Sequence, residues 1–443
     1  MKPNLYTLLY EGGITMEILK KSLFKHMEIE KTLQTQVGEI LEEIRFNKDI
    51  GVKKYNLLFD KNPRENFRVT RDEIVKAYKK VDVKFIEDLK IAAKNIEEFA
   101  KAQKNSFNNE FEKDIYPGVT LGQKHIPIES ALAYVPGGSY PLFSTALMLI
   151  IPAKIAGVKR ICACSPAMKD SEYINPKTLV AMDIAGADEI YAVGGVQAIG
   201  AFAYGTDSIK PVDIIVGPGN KYVTEAKRQC YGKVGIDFVA GPSEVLIIAD
   251  ESANPSYIAA DVLAQCEHDY NARGILITTD KTLAKEVNKK VNEILVDLPT
   301  KDIASLSWNN NGEIILVDNL QEAVKLSNKY APEHLELNVK NTDEIIDKLT
   351  NYGSLFIGQY SAEVFGDYVS GTNHTLPTLR ASRYTGGVWV GTFIKTCTTQ
   401  RLSKGAVDLL APVAYDLAMD EGLYAHANAA KVRMNQENGG VNE

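Results

Sequence analysis

The sequence predicts two α/β domains in tandem, entered through a helical segment and left through a mostly helical tail. Three observations carry that expectation. A chain of 443 residues exceeds what one hydrophobic core usually organises. From Ile126 onward, glycines and short β-branched runs alternate with helical stretches. After Ser243 the same alternation starts again.

From about Leu19 to Gln103 the chain is charged and helix-favouring. Within Asp72 to Phe99 the apolar residues Ile74, Val75, Tyr78, Val81, Phe85, Leu89 and Ala92 recur at helical spacing. The apolar stretch Ala146 to Ala156 holds Pro152 and Lys154, is too short to span a bilayer, and predicts a buried helix. Ile155-Ala156-Gly157 leads into a strand at Arg160 to Cys164, and Ile184-Ala185-Gly186 leads into a strand at Glu189 to Val193. In each, a glycine able to take a left-handed conformation ends the helix. A third strand, Val212 to Val216, precedes Gly217-Pro218-Gly219-Asn220, so the block predicts a parallel sheet with crossover helices. The second block predicts strands at Val245 to Ala249, Gly274 to Thr278, Glu313 to Val317 and Ser354 to Ile357. A helix from Pro255 to Glu267 follows the cap Asn254. From about Val388 the chain reads as mostly helical, with a loose Asn-rich end.

Basic and acidic residues number 50 and 57 and are mixed along the chain, so nothing attracts nucleic acid or an anionic membrane, and a small-molecule substrate is the expected partner. Five scattered cysteines, Cys162, Cys164, Cys230, Cys266 and Cys397, form neither a disulfide framework nor a thiolate zinc site, which suits a reducing cytoplasm. No signal-peptide pattern opens the sequence. The Glu11-Gly12-Gly13 run before Met16 can be encoded by purine-rich codons of the kind that bind ribosomal RNA upstream of a bacterial start, so the native chain is expected to begin at Met16 rather than Met1.

Of six histidines, His268, His334, His374 and His426 lie in the C-terminal half beside other metal-competent side chains. Gln265 and His268 are three apart near a helix end and share a face; Asp367 and His426 would complete an N/O ligand set suited to zinc. A lone helix Gln and His are more often surface or capping residues. Cys266 competes as a ligand, but lies about 100° around the helix from Gln265. Glu333 and His334 follow Pro332, where a turn at a strand mouth would aim both into one cleft; imidazole suits a base for a hydroxyl proton and the carboxylate suits activation of water. A solvated Glu-His pair on a loop is the plain alternative. Gly217-Pro218-Gly219-Asn220 lacks the third glycine of the dinucleotide fingerprint, since Tyr222 stands there. Gly194-Gly195 and Tyr134-Val135-Pro136-Gly137-Gly138 offer further backbone-lined loops.

These segments together resemble the histidinol dehydrogenase family along nearly the whole chain. They are YVPGG at Tyr134, GGVQAI at Gly194, VGPGN at Val216, TEAKRQ at Thr224, GPSEVLIIAD at Gly241, AQCEH at Ala264, APEHLEL at Ala331, GDYVSGTNHTLPT at Gly366 and EGLYAHA at Glu421. The resemblance implies oxidation of L-histidinol to L-histidine in two NAD-dependent steps through an aldehyde. It implies zinc at Gln265, His268, Asp367 and His426, His334 as base for the alcohol, and Glu333 as activator of water. Substrate contacts would include Ser243, His374 and Glu421, and NAD contacts Tyr134, Gln197 and Asn220. The family is a homodimer whose tail crosses over, so Glu421 and His426 would serve the partner's site. Its fold implies two incomplete Rossmann-like domains: an N-terminal helical arm over 1–32, a substrate and zinc domain over 33–133 and 244–387, an NAD-binding domain over 134–243, and a dimerisation tail over 388–443.

Some segments depart from biosynthetic members. Glu129-Ser130-Ala131 stands where an acidic-Arg pair is usual. Tyr352 to Phe356, Phe365, Arg383 to Gly387 and Lys395 to Arg401 are similar to the paralogue that oxidises sulfopropanediol to sulfolactate. Arg380, Arg383 and Lys395 would then pair with a sulfonate. A non-catalytic scaffold is a further alternative, against which the presence of both Glu333 and His334 argues.

Overall fold

Alternating helices and short apolar strands build one parallel sheet and the parallel body of a second, mixed sheet. The computed structural model describes residues 7–11, 14–23, 31–137 and 141–434. Met1, Gly12, Gly13, Gly138 and the Asn-rich end over 435–443 lie outside the described residues. The chain divides into two units, Met1–Lys104 with Ile128–Phe393, and Asn105–Pro127 with Ile394–Glu443.

In the larger unit, a five-stranded sheet runs Glu189–Ala192, Arg160–Ser165, Ser130–Tyr134, Ile214–Val216, Gly235–Ile236, with every pairing parallel. Its crossover helices end as the sequence requires. Ser144–Ala156 closes on Gly157 at φ 104° and Pro176–Ala185 on Gly186 at φ 92°, both left-handed. Ser144–Ala156 is buried along nearly its whole length, as its continuous apolar run demands.

The second sheet has seven strands, ordered Thr7–Glu11, Ile14–Lys20, Glu313–Val317, Arg273–Thr278, Glu244–Ala249, His334–Asn338, Ser354–Ile357. The last five are mutually parallel. The helical arm expected over 1–32 is corrected here: Thr7–Glu11 and Ile14–Lys20 are antiparallel strands, and the second pairs with the edge of Glu313–Val317. Ile14, Thr15 and Ile18 favour extended backbone, and Met16 buries its side chain in the sheet core.

The helices after residue 30 also pack differently from the expected grouping of 33–133 with 244–387. Lys31–Asp60 presents Leu33, Val37, Ile40, Leu41 and Ile44 to the five-stranded sheet's core, alongside Leu132, Tyr134, Val193 and Phe202. Gly200 permits the close approach, since a Cβ there would stand 3.1 Å from Ile44 Cδ1. The periodic stretch after Asp72 is two helices, Arg71–Tyr78 and Val83–Asn105, the first opened by a capping box from Thr70 and Glu73.

The smaller unit is a three-stranded antiparallel sheet, ordered Ile394–Leu402, Val119–Pro127, Glu110–Tyr116, with helices Lys404–Asp420 and Tyr424–Met434 packed together. The mostly helical tail therefore begins with a strand. No helix among the described residues is long and apolar enough to cross a membrane.

Gly217 tests the turn after Ile214–Val216. Its φ is 123°, and a Cβ would fall 2.3 Å from the Tyr134 carbonyl oxygen; Gly232, at φ 96°, has nothing within 4 Å. Urea unfolding is expected to show Gly217→Ala destabilised by about 2 kcal/mol or more, and Gly232→Ala by only about 1 kcal/mol. Equal losses would contradict the collision.

Candidate active site

The strand His334–Asn338 pairs with Glu244–Ala249 so that His334 lies beside Val245 and Glu336 beside Ile247. Side chains alternate between faces, so Leu335 and Leu337 enter one core with Leu246 and Ile248. His334, Glu336 and Asn338 take the other face, the one Val245 and Ile247 present to the helix Pro255–Cys266. All three polar residues are buried. A polar face inside a parallel sheet requires partners, and these define the site.

The approach to this strand is a fixed corner. Helix Leu320–Tyr330 ends at Ala331, whose φ of 51° and ψ of 61° are left-handed. A residue before proline is disfavoured in right-handed helical geometry, and Ala331 avoids it by the helix-terminating left-handed turn rather than by extended backbone. Ser382 Oγ donates to the Ala331 carbonyl at 2.6 Å, and Pro332 follows. Glu333, just before the strand, and His334, its first residue, then reach one place: Glu333 Oε2 lies 3.7 Å from His334 Nδ1.

His334 Nδ1 also stands 3.2 Å from the Glu244 carbonyl oxygen. A carbonyl only accepts, so Nδ1 carries the proton and the Nε2 lone pair is left open. Nε2 is buried with no hydrogen-bond partner and sits 3.9 Å from Asp367 Oδ1. Burial pulls His334 down to about 4 from its ordinary value near 6.5. The imidazole is thus neutral at physiological pH, the form a base needs. Glu333 accepts the Glu244 N–H at 3.0 Å, and burial pushes its carboxyl well above the usual range. Ser243 also hydrogen-bonds the Glu333 side chain. Burial raises Glu244 to about 7.

Gln265 is fully buried near the end of Pro255–Cys266, with exposed His268 just beyond. Glu363, first residue of the short helix Glu363–Tyr368, orients the amide: Gln265 Nε2 donates to both carboxylate oxygens at 2.8 and 3.1 Å. Its Oε1 then faces His268 Nδ1 at 3.4 Å. Asp367 lies one turn after Glu363 on the same helix. Among the described residues, His334, Glu363 and Asp367 bring one potential ligand atom each within 4.8 Å of one another. His374 stands beside them, with Nδ1 3.0 Å from the Asp367 carbonyl oxygen and Nε2 3.4 Å from Thr145 Oγ1.

The larger unit therefore gathers Ser243, Gln265, His268, Glu333, His334, Asp367 and His374. Glu421 and His426 belong to the smaller unit and are exposed. Tyr134 ends the strand Ser130–Tyr134, Gln197 lies in the first turn of helix Gly195–Tyr204, and Asn220 follows the strand Ile214–Val216, all towards the C-terminal ends of the five-stranded sheet. Tyr134 Oη accepts the Gly195 N–H at 3.0 Å, Gln197 is fully buried, and Asn220 caps helix Lys221–Cys230. Glu363 was missed in the sequence, as were Glu244 and Glu336. The available signal was His-Leu-Glu-Leu-Asn, whose polar alternation sits beside the apolar run Val245 to Ala249.

Glycine-rich turns closing one parallel sheet, with a buried base and carboxyls at the head of another, define an α/β enzyme with an acid–base site. The family model for histidinol dehydrogenase matches residues 24–434. Histidinol dehydrogenase of Bacillus cereus is 45% identical over 409 residues, spanning 92% of this chain and 94% of that protein. That of Methanocaldococcus jannaschii is 46% identical over 401 residues, spanning 90% and 92%. The crystal structure of histidinol dehydrogenase from Elizabethkingia anophelis superposes with a TM-score of 0.88 at 41% identity, over 93% of this chain and 94% of that one. The chain belongs to the histidinol dehydrogenase family. It is an oxidoreductase acting on CH–OH groups.

Histidine NMR of the metal-free protein is expected to show His334 titrating near pH 4. Since its folded value is depressed, the unfolded chain binds the extra proton between about pH 6.5 and 4, and His334 makes the fold less stable as pH falls through that window. A midpoint at or above 6.5 would contradict the buried, neutral imidazole.

Proposed function

We propose that the protein oxidises L-histidinol to L-histidine with NAD, in two steps through histidinal, at a zinc-dependent site completed by a second subunit. One observation carries this reading: the open Nε2 of His334, buried and without a hydrogen-bond partner, faces Asp367 beside a second buried acid–base group, Glu333. The histidinol dehydrogenase name of relatives at 45% and 46% identity supplies the substrate.

The donor set fits zinc: an amide oxygen held by Glu363, the His268 imidazole and the Asp367 carboxylate, with His426 of a second copy as the fourth ligand. Zinc, when bound, supplies positive charge that holds and orients the amino-alcohol. The turns around Tyr134, Gln197 and Asn220 fit NAD, since Gln197 Oε1 is buried without a partner and Asn220 commits its oxygen to the helix cap, leaving its N–H groups for a ligand. NAD, when bound, supplies the hydride acceptor.

His334 Nε2 takes the hydroxyl proton as the hydride leaves carbon, while the Glu244 carbonyl holds the ring by Nδ1. The imidazolium so formed lies among Glu333, Glu363 and Asp367. In the second step Glu333, a strong base by virtue of its burial, takes a proton from water as the water oxygen bonds to the aldehyde carbon. His334, having released its first proton to solvent, then takes the hydrate's hydroxyl proton as the second hydride passes to a second NAD. Ser243 and His374 line the same site; Glu421 reaches it from the second subunit. The names of the relatives favour histidinol over the sulfonated diol; of the three basic residues, Arg383 and Lys395 are exposed and Arg380 is partly buried.

Purified protein with zinc and NAD is expected to form two NADH per histidinol. His334→Gln should lose activity by about 10²- to 10⁴-fold while retaining zinc, and Glu333→Gln should stop after one NADH. Failure to turn over histidinol would reject the substrate, and silence of Glu333→Gln on both steps would reject the division of labour.

A homodimer is supported by Leu409, Val413 and Leu417, a stripe at helical spacing along Lys404–Asp420 that is 59, 55 and 62% exposed in the single chain. If His426 serves the partner's site, co-refolding inactive His426→Ala and His334→Gln chains should restore activity, because each mixed dimer contains one intact site. Absence of recovery, with mixed dimers verified by mass, would place His426 in its own chain's site or in none.

A further inference from the structure

Two carboxyl side chains beneath the site touch none of the reacting groups, yet they join the three elements that carry them. Glu336 is 2% exposed and shares the strand face of His334. Its Oε1 accepts the backbone N–H of Glu363 at 2.9 Å. That N–H opens the helix Glu363–Tyr368, whose own cap residue, Ala362, offers no side-chain acceptor. The Glu336 carboxyl is also hydrogen-bonded to Asp261. Asp261 lies one turn before Gln265 on Pro255–Cys266, so the two share a helix face. A hydrogen bond between two carboxyls requires a proton in the pair, and burial raises both groups above their ordinary values.

We propose that the Asp261–Glu336 pair is the positioning element of the metal site, tying the His334 strand, the Gln265 helix and the Asp367 helix together through hydrogen bonds. The pair reaches the metal only through other groups. Glu336 fixes the start of the helix that carries Glu363, which orients the Gln265 amide, and Asp367. Asp261 fixes the helix face that carries Gln265. This rests on the zinc site proposed above.

Glutamine at 336 preserves the tie, because its oxygen still accepts from Glu363 N–H and its amide donates to Asp261. Leucine removes both bonds at similar volume. The test uses the full-length protein, with zinc affinity read by chelator competition and amide hydrogen exchange read over Glu363–Tyr368. Glu336→Gln should hold zinc within about threefold of the parent, and Glu336→Leu should weaken it by about 10- to 100-fold and speed exchange in that helix. If Glu336→Leu does not fold, Asp261→Ala, at a partly exposed position, takes its place with the same expected direction. Parent-like zinc affinity and exchange in the disruptive variant overturn the proposal. So does Glu336→Gln behaving like Glu336→Leu, or weakened zinc with unchanged exchange. A parent protein that binds no zinc refutes the metal reading alone, and hydrogen exchange still decides whether the tie exists.

Discussion

The hydrogen bond from His334 Nδ1 to the Glu244 carbonyl is the interaction on which the rest of the site turns. It selects the tautomer, and so decides that the lone pair lies on Nε2. It is also made to the neighbouring strand, so the geometry of the base is as rigid as the pairing of Glu244–Ala249 with His334–Asn338. Glu244 contributes at both ends, its carbonyl holding the imidazole and its N–H holding Glu333. One peptide position thereby spaces the two acid–base groups. Burying them lowers His334 and raises Glu333, which keeps the imidazole neutral and makes the carboxylate a stronger base.

The two sheets divide the remaining work. The five-stranded sheet ends in turns built by backbone: Gly195 N–H on Tyr134, Gly217 pressed against the Tyr134 carbonyl, and Asn220 capping its helix. Such turns suit a ligand that recurs in every catalytic cycle. The seven-stranded sheet offers side chains instead, at the N-terminal end of the His334 strand and the C-terminal end of the Gln265 helix. The Glu244–Arg273–Glu313 row along neighbouring strand starts, with Arg273 3.3 and 3.5 Å from the two carboxylates, braces that edge.

Much of this was legible in the sequence where local chemistry is decisive. Gly157 and Gly186 mark helix ends because left-handed backbone favours glycine, and Glu313–Val317 and Ser354–Ile357 fall where short apolar runs placed them. Gln265 and His268 share a helix end, and Glu333 and His334 a strand mouth, as spacing implied. Other features depend on contacts distant in sequence. Glu110–Tyr116 is exposed along its length and carries no apolar alternation, so nothing local separates it from helix or loop. Ile14–Lys20 is a strand because an edge nearly three hundred residues away accepts it. Glu363 and Glu336 looked like ordinary surface glutamates until the fold buried them.

The left-handed corner at Ala331 sets a reading frame. Helix Leu320–Tyr330 is packed in place, the Ala331 carbonyl is held by Ser382, and Pro332 removes a degree of freedom, so the chain enters the strand with no slack. Strand side chains alternate, and His334 faces the Gln265 helix only because the residue count from corner to strand is fixed. One residue more or fewer would exchange the roles of His334 and Leu335, turning the base into the hydrophobic core and a methyl-bearing chain toward the substrate. This short segment can vary in composition far more readily than in length.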